Sequence, residues 1–367
     1  MNRFVLLFIS FLLYSNIIIA QTRVIDATDR YPIAAASIFD ASGNIIGLTL
    51  IDGDFPDVPE SAYPITIRCI GYEQLTIERP NNKIWEMIPT VYELDEIEVI
   101  PAKRNILKQS FYVREYFSMH NNDDTVNFFL EHMTVRFLPT SKEAKFSGSS
   151  SLRILNSRCY SHYKIGDLDS VSLNYQLKFP TMLSLCSLDN SPIDATQSFK
   201  QQSGSNKLYQ KSGKSGMSIV QKQNEQTFTI VEDLLAGQKD HSMSPWGLSL
   251  IGMGIDVNHF LMTQTYRANN KYTYQPKDLM EASFVMEADG KGKLIRKIFK
   301  SDQPIILRSM IEIYLVDNEY ITSEEAKQEY KDKDIGLSFT VPSTVPSLNA
   351  ATQRLVIRAK NKAKKGK

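Results

Sequence analysis

Residues 65–73, Ile-Thr-Ile-Arg-Cys-Ile-Gly-Tyr-Glu, constrain this chain more than any other stretch. Ile65, Ile67 and Cys69 alternate with Thr66, Arg68 and Ile70, the two-residue period of a strand with one face buried, and Gly71-Tyr72 ends the run in a turn. The residues before it follow the same plan in short pieces. Thr22 to Asp26 is strand-like and is followed by the polar turn Ala27-Thr28-Asp29-Arg30; Pro32 then precedes a strand at Ala36 to Phe39. Ala41 to Asn44 is a turn by composition, Ile45 to Leu50 another strand, and Asp52-Gly53 a tight turn, because Asp-Gly tolerates positive φ cheaply. Short strands at this spacing specify an all-β sandwich.

The order of these pieces resembles the carboxypeptidase regulatory-like family. The matching features are Val24-Ile25-Asp26, a Thr-containing turn, Pro32-Ile33, Ala36-Ser37-Ile38, Thr49 before Asp52-Gly53-Asp54-Phe55, Ile70-Gly71-Tyr72-Glu73, and a trailing Leu94-Asp95-Glu96-Ile97-Glu98-Val99-Ile100. The family usually carries Gly where this chain has Ala35. The resemblance covers residues 21–100 and implies a seven-stranded, transthyretin-like β-sandwich. Such domains stand at the front of TonB-dependent receptors of Gram-negative envelopes and in shorter envelope proteins. They are accessory to metallocarboxypeptidase catalytic domains, so no peptidase activity is implied. The rest of the chain is too short for the barrel of such a receptor.

Residues 1–20 have the pattern of an export signal: Arg3, an apolar run from Phe4 to Tyr14, and a cut expected before Gln21. That run is short for a membrane span, which needs about 20 apolar residues. The mature chain is thus expected in the periplasm or associated with the outer membrane. Cys69, Cys159 and Cys186 are an odd set without metal spacing; Cys69 is expected as a small buried hydrophobe, and Cys159 with Cys186 is the one pair open to oxidation.

Beyond the sandwich, Ile106, Ser110, Val113 and Phe117 fall at helical spacing, so 101–122 is expected as a linking helix. Residues 123–350 are expected to form a larger β-rich α+β domain with a curved antiparallel sheet. Its strands are placed at 126–138, 150–155, 160–164, 217–220, 227–231 and 305–316. The stretch 189–216 is polar and expected as a loop, 248–262 as a buried helix, and 280–299 as a hairpin around Asp289-Gly290-Lys291-Gly292. Thr322 to Glu325 is a capping box opening a short helix. Residues 351–367 form a basic tail, with seven Lys or Arg and no acid from Arg354 to Lys367, expected to be disordered.

Motifs that carry chemistry are missing. His120, His132, His162, His241 and His259 form no His-Glu-x-x-His and no other metal spacing; His132 is expected half-exposed on a sheet. Gly-x-Ser-x-Gly is absent. Ser212-Gly213-Lys214-Ser215-Gly216 mimics the end of a phosphate loop but has Leu208 where the earlier Gly belongs, and Gly252-Met253-Gly254 lacks a third glycine. The acid pairs Asp123/Asp124 and Asp167/Asp169 are expected as solvated turn residues. No catalytic residue, metal ligand or cofactor is therefore assigned. The chain is expected to be a non-enzymatic envelope protein, structural or partner-binding, with the sandwich as docking or support module. Its expected partner is an envelope protein or a glycan or peptide ligand, not nucleic acid, with peripheral attraction of the basic tail to anionic membrane. The alternative is a hydrolase of glycan or peptide with its site in 120–350. The excess of aromatics, 17 Tyr and 18 Phe against two Trp, suits sheet packing and leaves some for an exposed binding face.

Overall fold

Two β-rich units make up the computed structural model, which describes residues 22–80, 83–91, 104–141, 144–149, 151–175, 183, 186–188, 191–201, 209–211, 217–238, 240, 242–244, 252–269, 272–331, 339, 341–343 and 345–365. The expected export signal, the segment 94–100, the segment 212–216 and His241 lie outside those residues.

The first unit contains β1 (Arg23–Asp26), β2 (Ser37–Phe39), β3 (Ile45–Leu48), β4 (Ile65–Arg68), β5 (Leu75–Ile77) and β6 (Ile84–Met87). Among the described residues these make two sheets: β1 pairs with β6 in parallel, and the other four lie in the order β3-β2-β4-β5. Val24, Trp85 and Met87 of the first sheet share one core with Ile38, Ile65, Ile67 and Cys69 of the second. This is a small β-sandwich with six strands among the described residues; the trailing segment 94–100 lies outside them. Gly53 turns at φ 72°, and a Cβ there would meet the Val24 carbonyl oxygen at 2.7 Å, so only glycine fits this turn. Ala35 also sits at positive φ, 59°.

The second unit is a curved antiparallel sheet. Its strands are β7 (Ile106–His120), β8 (Thr125–Pro139), β9 (Arg153–Ile165), β10 (Leu168–Tyr175), β12 (Phe199–Gln201), β13 (Tyr209–Lys211), β14 (Met217–Gln223), β15 (Thr227–Asp233), β16 (Gly254–Arg267), β18 (Leu279–Lys291) and β19 (Ile305–Ile321). Among the described residues the order is β10-β9-β8-β7-β19-β18-β16-β15-β14-β13-β12. The short strands β11 (Ile193–Asp194) and β17 (Thr273–Tyr274) pair beside it. The α-helices are α1 (Ala195–Ser198), α2 (Lys293–Phe299), α3 (Ser323–Lys331) and α4 (Ala350–Lys365), and short 3-10 turns span Glu60–Ala62 and Pro276–Asp278.

Both faces of this sheet are covered. On one face Tyr116, Phe129, Tyr160, Val285 and Met310 pack against Ala35, Phe39, Ile45 and Leu48 of the sandwich and Ala359 of α4. On the other, Phe111, Val113, Phe284, Met286, Ile311 and Ile313 pack with Ile295 and Phe299 of α2 and with Leu183, Leu188 and Phe199.

Double coverage explains where the sequence misleads. Of the expected linking helix 101–122, Ile106–His120 form the central strand β7, paired with β8 on one side and β19 on the other, and of the expected helix 248–262 the described residues from Gly254 on begin strand β16. A strand buried on both faces is apolar at odd and even positions alike, so the two-residue period disappears and a chance 3.6-residue pattern shows through. The expected hairpin at 280–299 is β18 followed by α2, because Gly292 turns at φ 121° and Ile295 and Phe299, four apart, bury one helical face. The stretch expected as a loop carries β11, α1, β12 and β13. The tail expected to be disordered is α4, which buries Thr352 and Ala359 and bonds through Arg358 to Asp169 at 2.8 Å. Strands 126–138, 217–220, 227–231 and 305–316 fall inside β8, β14, β15 and β19, and 160–164 inside β9; that strand starts at Arg153 and so covers only the end of 150–155. At α3 the capping box forms as the sequence specifies: the Glu325 N–H donates to Thr322 Oγ1 at 3.2 Å and the Thr322 N–H to Glu325 Oε2 at 2.7 Å.

Candidate binding cleft

The sandwich meets the sheet at more than its core. The Ala34 N–H donates to Gln221 Oε1 at 3.0 Å, the Ile45 N–H to Ser118 Oγ at 2.9 Å, and Asn127 Nδ2 to Asn44 Oδ1 at 2.6 Å. Lys222 Nζ donates to Asp26 Oδ2 at 2.9 Å, and the same oxygen accepts the Tyr72 hydroxyl at 3.0 Å. Burial works to raise the Asp26 pKa, but the Lys222 ammonium, the Thr28 N–H and the Tyr72 hydroxyl outweigh it and hold the carboxyl below the usual range.

Beside these contacts lies a cavity of about 480 Å³, lined from the sandwich by Asp29 and Tyr31 and from the sheet by 220–225, Ala268, Asn269, Tyr272 and Tyr274. The β14–β15 hairpin forms one wall. Asn224 Oδ1 accepts the N–H groups of Gln226 at 2.9 Å and Thr227 at 2.7 Å, which fixes the turn between the strands. The β14 register shifts between Val220 and Lys222, making Gln221 the bulged residue. The bulge sends its side chain into the buried junction, where Oε1 is satisfied by Ala34 and Nε2 has no partner. The opposite wall is formed by Ala268, Asn269, Tyr272 and Tyr274. Tyr272 stands there at φ 53° and is 45% exposed, while the Tyr274 ring stacks on Phe228 at 4.2 Å and burial pushes its phenol up to about 12.

The cleft offers amide groups from Gln221, Gln223, Asn224 and Asn269, the phenols of Tyr31 and Tyr272, and two carboxylates, Asp29 and Glu225. Among the described residues its one cation, Lys222, is neutralised by Asp26. Such a lining suits a neutral ligand rich in hydroxyl groups, because amides donate and accept, phenol rings give flat apolar contact, and the unbalanced acids disfavour anions. The volume lies within the roughly 300–1,000 Å³ of small-ligand sites.

Among the described residues, none of the candidate site residues weighed in the sequence lines this cleft. His120 Nε2 lies 3.4 Å from Arg308, and burial together with that guanidinium lowers its pKa to about 4. His132 is fully buried against Glu115 at 2.9 Å, not half-exposed as expected, since both faces of its strand are covered. His162 bonds the exposed Asp169 at 2.9 Å. Asp123 and Asp124 lie in a turn whose N–H groups donate to Asn121 Oδ1. Cys69 is buried as expected; Cys159 and Cys186 are not joined in a disulfide, and burial pushes Cys159 up to about 12. Among the described residues no group of three His, Cys, Asp or Glu is placed to hold a metal ion. Gln221, Asn269 and Tyr272 carry no motif. The only hint was the surplus of tyrosine.

No family model matches the chain, and no curated protein matches it. Among solved structures it is similar to one described as lipid–protein interactions in lipovitellin, with 8% identity and a TM-score of 0.28 over 59% of this chain and 26% of that one. The chain thus spans about a quarter of that protein's length, and a likeness so loose carries no argument about function.

Proposed function

We propose that this is an exported, non-enzymatic envelope protein that binds a glycan in the cleft shared by its sandwich and its sheet. The observation that carries the reading is the lining: amides, phenols and surplus carboxylate around about 480 Å³, with a buried Gln221 Nε2 awaiting an acceptor. An unpaired buried amide costs roughly 1–3 kcal/mol, so a ligand hydroxyl that accepts from it gains affinity at no further desolvation cost to the protein. In this reading the sandwich is a support module: it supplies Asp29, Tyr31 and the contacts that hold the β14 bulge. The resemblance of residues 21–100 to envelope accessory domains and the signal-like residues 1–20 support the compartment.

Hydrolysis is the second reading, because Asp29 and Glu225 both line the cleft. A glycosidase general acid needs apolar surroundings to stay protonated, and Glu225 is exposed at a hairpin turn. That favours binding over cleavage.

Two experiments test the proposal. Cell fractionation should find a shortened chain in the envelope; an intact chain in the cytosol contradicts export. An oligosaccharide array probed with the purified full chain should show binding to a subset of neutral glycans without product release. A blank array ends the glycan reading, and cleavage of a bound glycan that stops in Glu225→Gln replaces it with the hydrolase.

A further inference from the structure

A second opening lies in the sandwich between β5 and β6. These strands follow one another in the chain but do not pair. The chain itself joins them at one end, and at the other the Glu73 N–H donates to the Ile88 carbonyl at 2.8 Å and the Thr90 N–H to the Gly71 carbonyl at 2.9 Å. From there they diverge around a groove of about 500 Å³ lined by 75–79 and 84–86.

The backbone shows what this groove is built to hold. In the parallel β1–β6 pair the Arg23 N–H bonds the Lys83 carbonyl and the Ala27 N–H bonds the Met87 carbonyl. Parallel pairing uses the backbone groups of alternate residues, so Lys83, Trp85 and Met87 face β1 while Ile84 and Glu86 turn theirs to the open side. Among the described residues no strand pairs with that side of β6. Ile84 and Ile88 stand 46% and 56% exposed along it. Lys83 and Pro89 flank this edge and Glu86 on it pairs with Arg30, while β6 itself carries neither proline nor bulge. Trp85 also lines the groove, is 94% buried by its 6% exposure, and its indole Nε1 has no acceptor.

We propose that this groove takes an extended segment of a partner polypeptide as an added β-strand. The segment's amides and carbonyls pair with Ile84 and Glu86, its apolar side chains cover Ile84 and Ile88, and one of its carbonyls accepts the Trp85 indole N–H. The proposal does not depend on the glycan cleft, which shares no lining residue with this groove; Arg30, between the cleft residues Asp29 and Tyr31, pairs with Glu86 of the groove.

The test uses the full chain labelled with ¹⁵N at the tryptophan indoles. Trp85 and Trp246 are its two tryptophans, so Trp246→Phe leaves one signal. The probe is a blocked peptide of alternating valine and threonine flanked by lysines. The Trp85 indole proton should move downfield in a saturable titration. A twin peptide N-methylated at alternate residues should bind at least tenfold more weakly, and Ile84→Lys and Ile84→Pro should each weaken binding of the parent peptide at least tenfold. A Trp85 signal unmoved at saturating peptide overturns the proposal, as does equal binding of the methylated twin. Movement of the signal with protein concentration alone also overturns it, since a second copy of the chain would then fill the groove.

Discussion

Arg68 and Glu312 meet in a bidentate ion pair between the sandwich and the centre of the sheet, with Arg68 Nη2 donating to both carboxylate oxygens at 2.9 Å. Their side chains are 2% and 1% exposed. Arg68 also donates to the Ser347 carbonyl and lies 5.4 Å from the Tyr116 ring. Burial disfavours its charge, but Glu312 more than compensates and holds it protonated. The pair makes the two units register on one another, because either charge left alone in that interior is costly.

Removing one partner therefore hurts more than removing both. Arg68→Met or Glu312→Leu alone should cost about 3–5 kcal/mol, and the double substitution should recover most of that loss. Equilibrium urea unfolding of the four proteins checks it. Additive single losses would show that the pair does not couple the units.

His120 gives the fold a pH dependence of definite sign. Its folded pKa, about 4, is below the ordinary value of 6.5, because burial and the facing Arg308 disfavour the imidazolium, with Glu287 opposing. As pH falls the unfolded chain takes up the proton first, so stability is full above 6.5, falls between 6.5 and 4, and levels off below. Urea midpoints at pH 7.5, 6 and 5 should drop in the native chain, and His120→Asn should remove that part of the slope. Depressed carboxylates such as Asp26 lose their contribution only as pH falls below the ordinary carboxylate range, so the windows separate.

Ala35 tests the backbone directly. At φ 59° an alanine pays roughly 1–2 kcal/mol of left-handed strain. Glycine relieves that but loses a buried methyl, about 0.8 kcal/mol, and adds roughly 0.5–1 kcal/mol of unfolded-state entropy. Ala35→Gly should therefore be within about 0.5 kcal/mol of neutral, while Ala36→Gly, equally buried but at ordinary φ, should cost more than 1 kcal/mol by the same terms without the relief. Thermal unfolding compares the two.

At α3, Thr322→Ala removes the side-chain half of the capping box and should cost about 1 kcal/mol. Glu325→Gln should cost less, since an amide oxygen still accepts the Thr322 N–H. Chemical unfolding ranks the two.

How much of this was legible in the chain depends on which periodicity burial leaves visible. The sandwich was, because short strands such as Ile65–Arg68 end in turns whose chemistry is local: Asp52-Gly53 needs its positive φ whatever surrounds it. The capping box at Thr322 was legible for the same reason. Strand β7 was not, because tertiary coverage on both faces erased its alternation. Helix α4 was obscured by its lysines; Thr352, Leu355, Val356 and Ala359 form a narrow stripe that has meaning only once β9 and β10 are there to receive it. The cleft was the least legible, since Asp29, Gln221 and Tyr272 are far apart in sequence and meet only through the docking of the two units.

Calorimetric titration of the purified chain with the tightest-binding oligosaccharide from the array tests the shared cleft most directly. Tyr272→Ala should weaken binding at least tenfold, while Tyr175→Ala, which removes a more exposed tyrosine from strand β10, outside the cleft, should leave it unchanged. Equal affinity in all three proteins, or equal loss in both variants, would contradict a ligand site between the sandwich and the sheet.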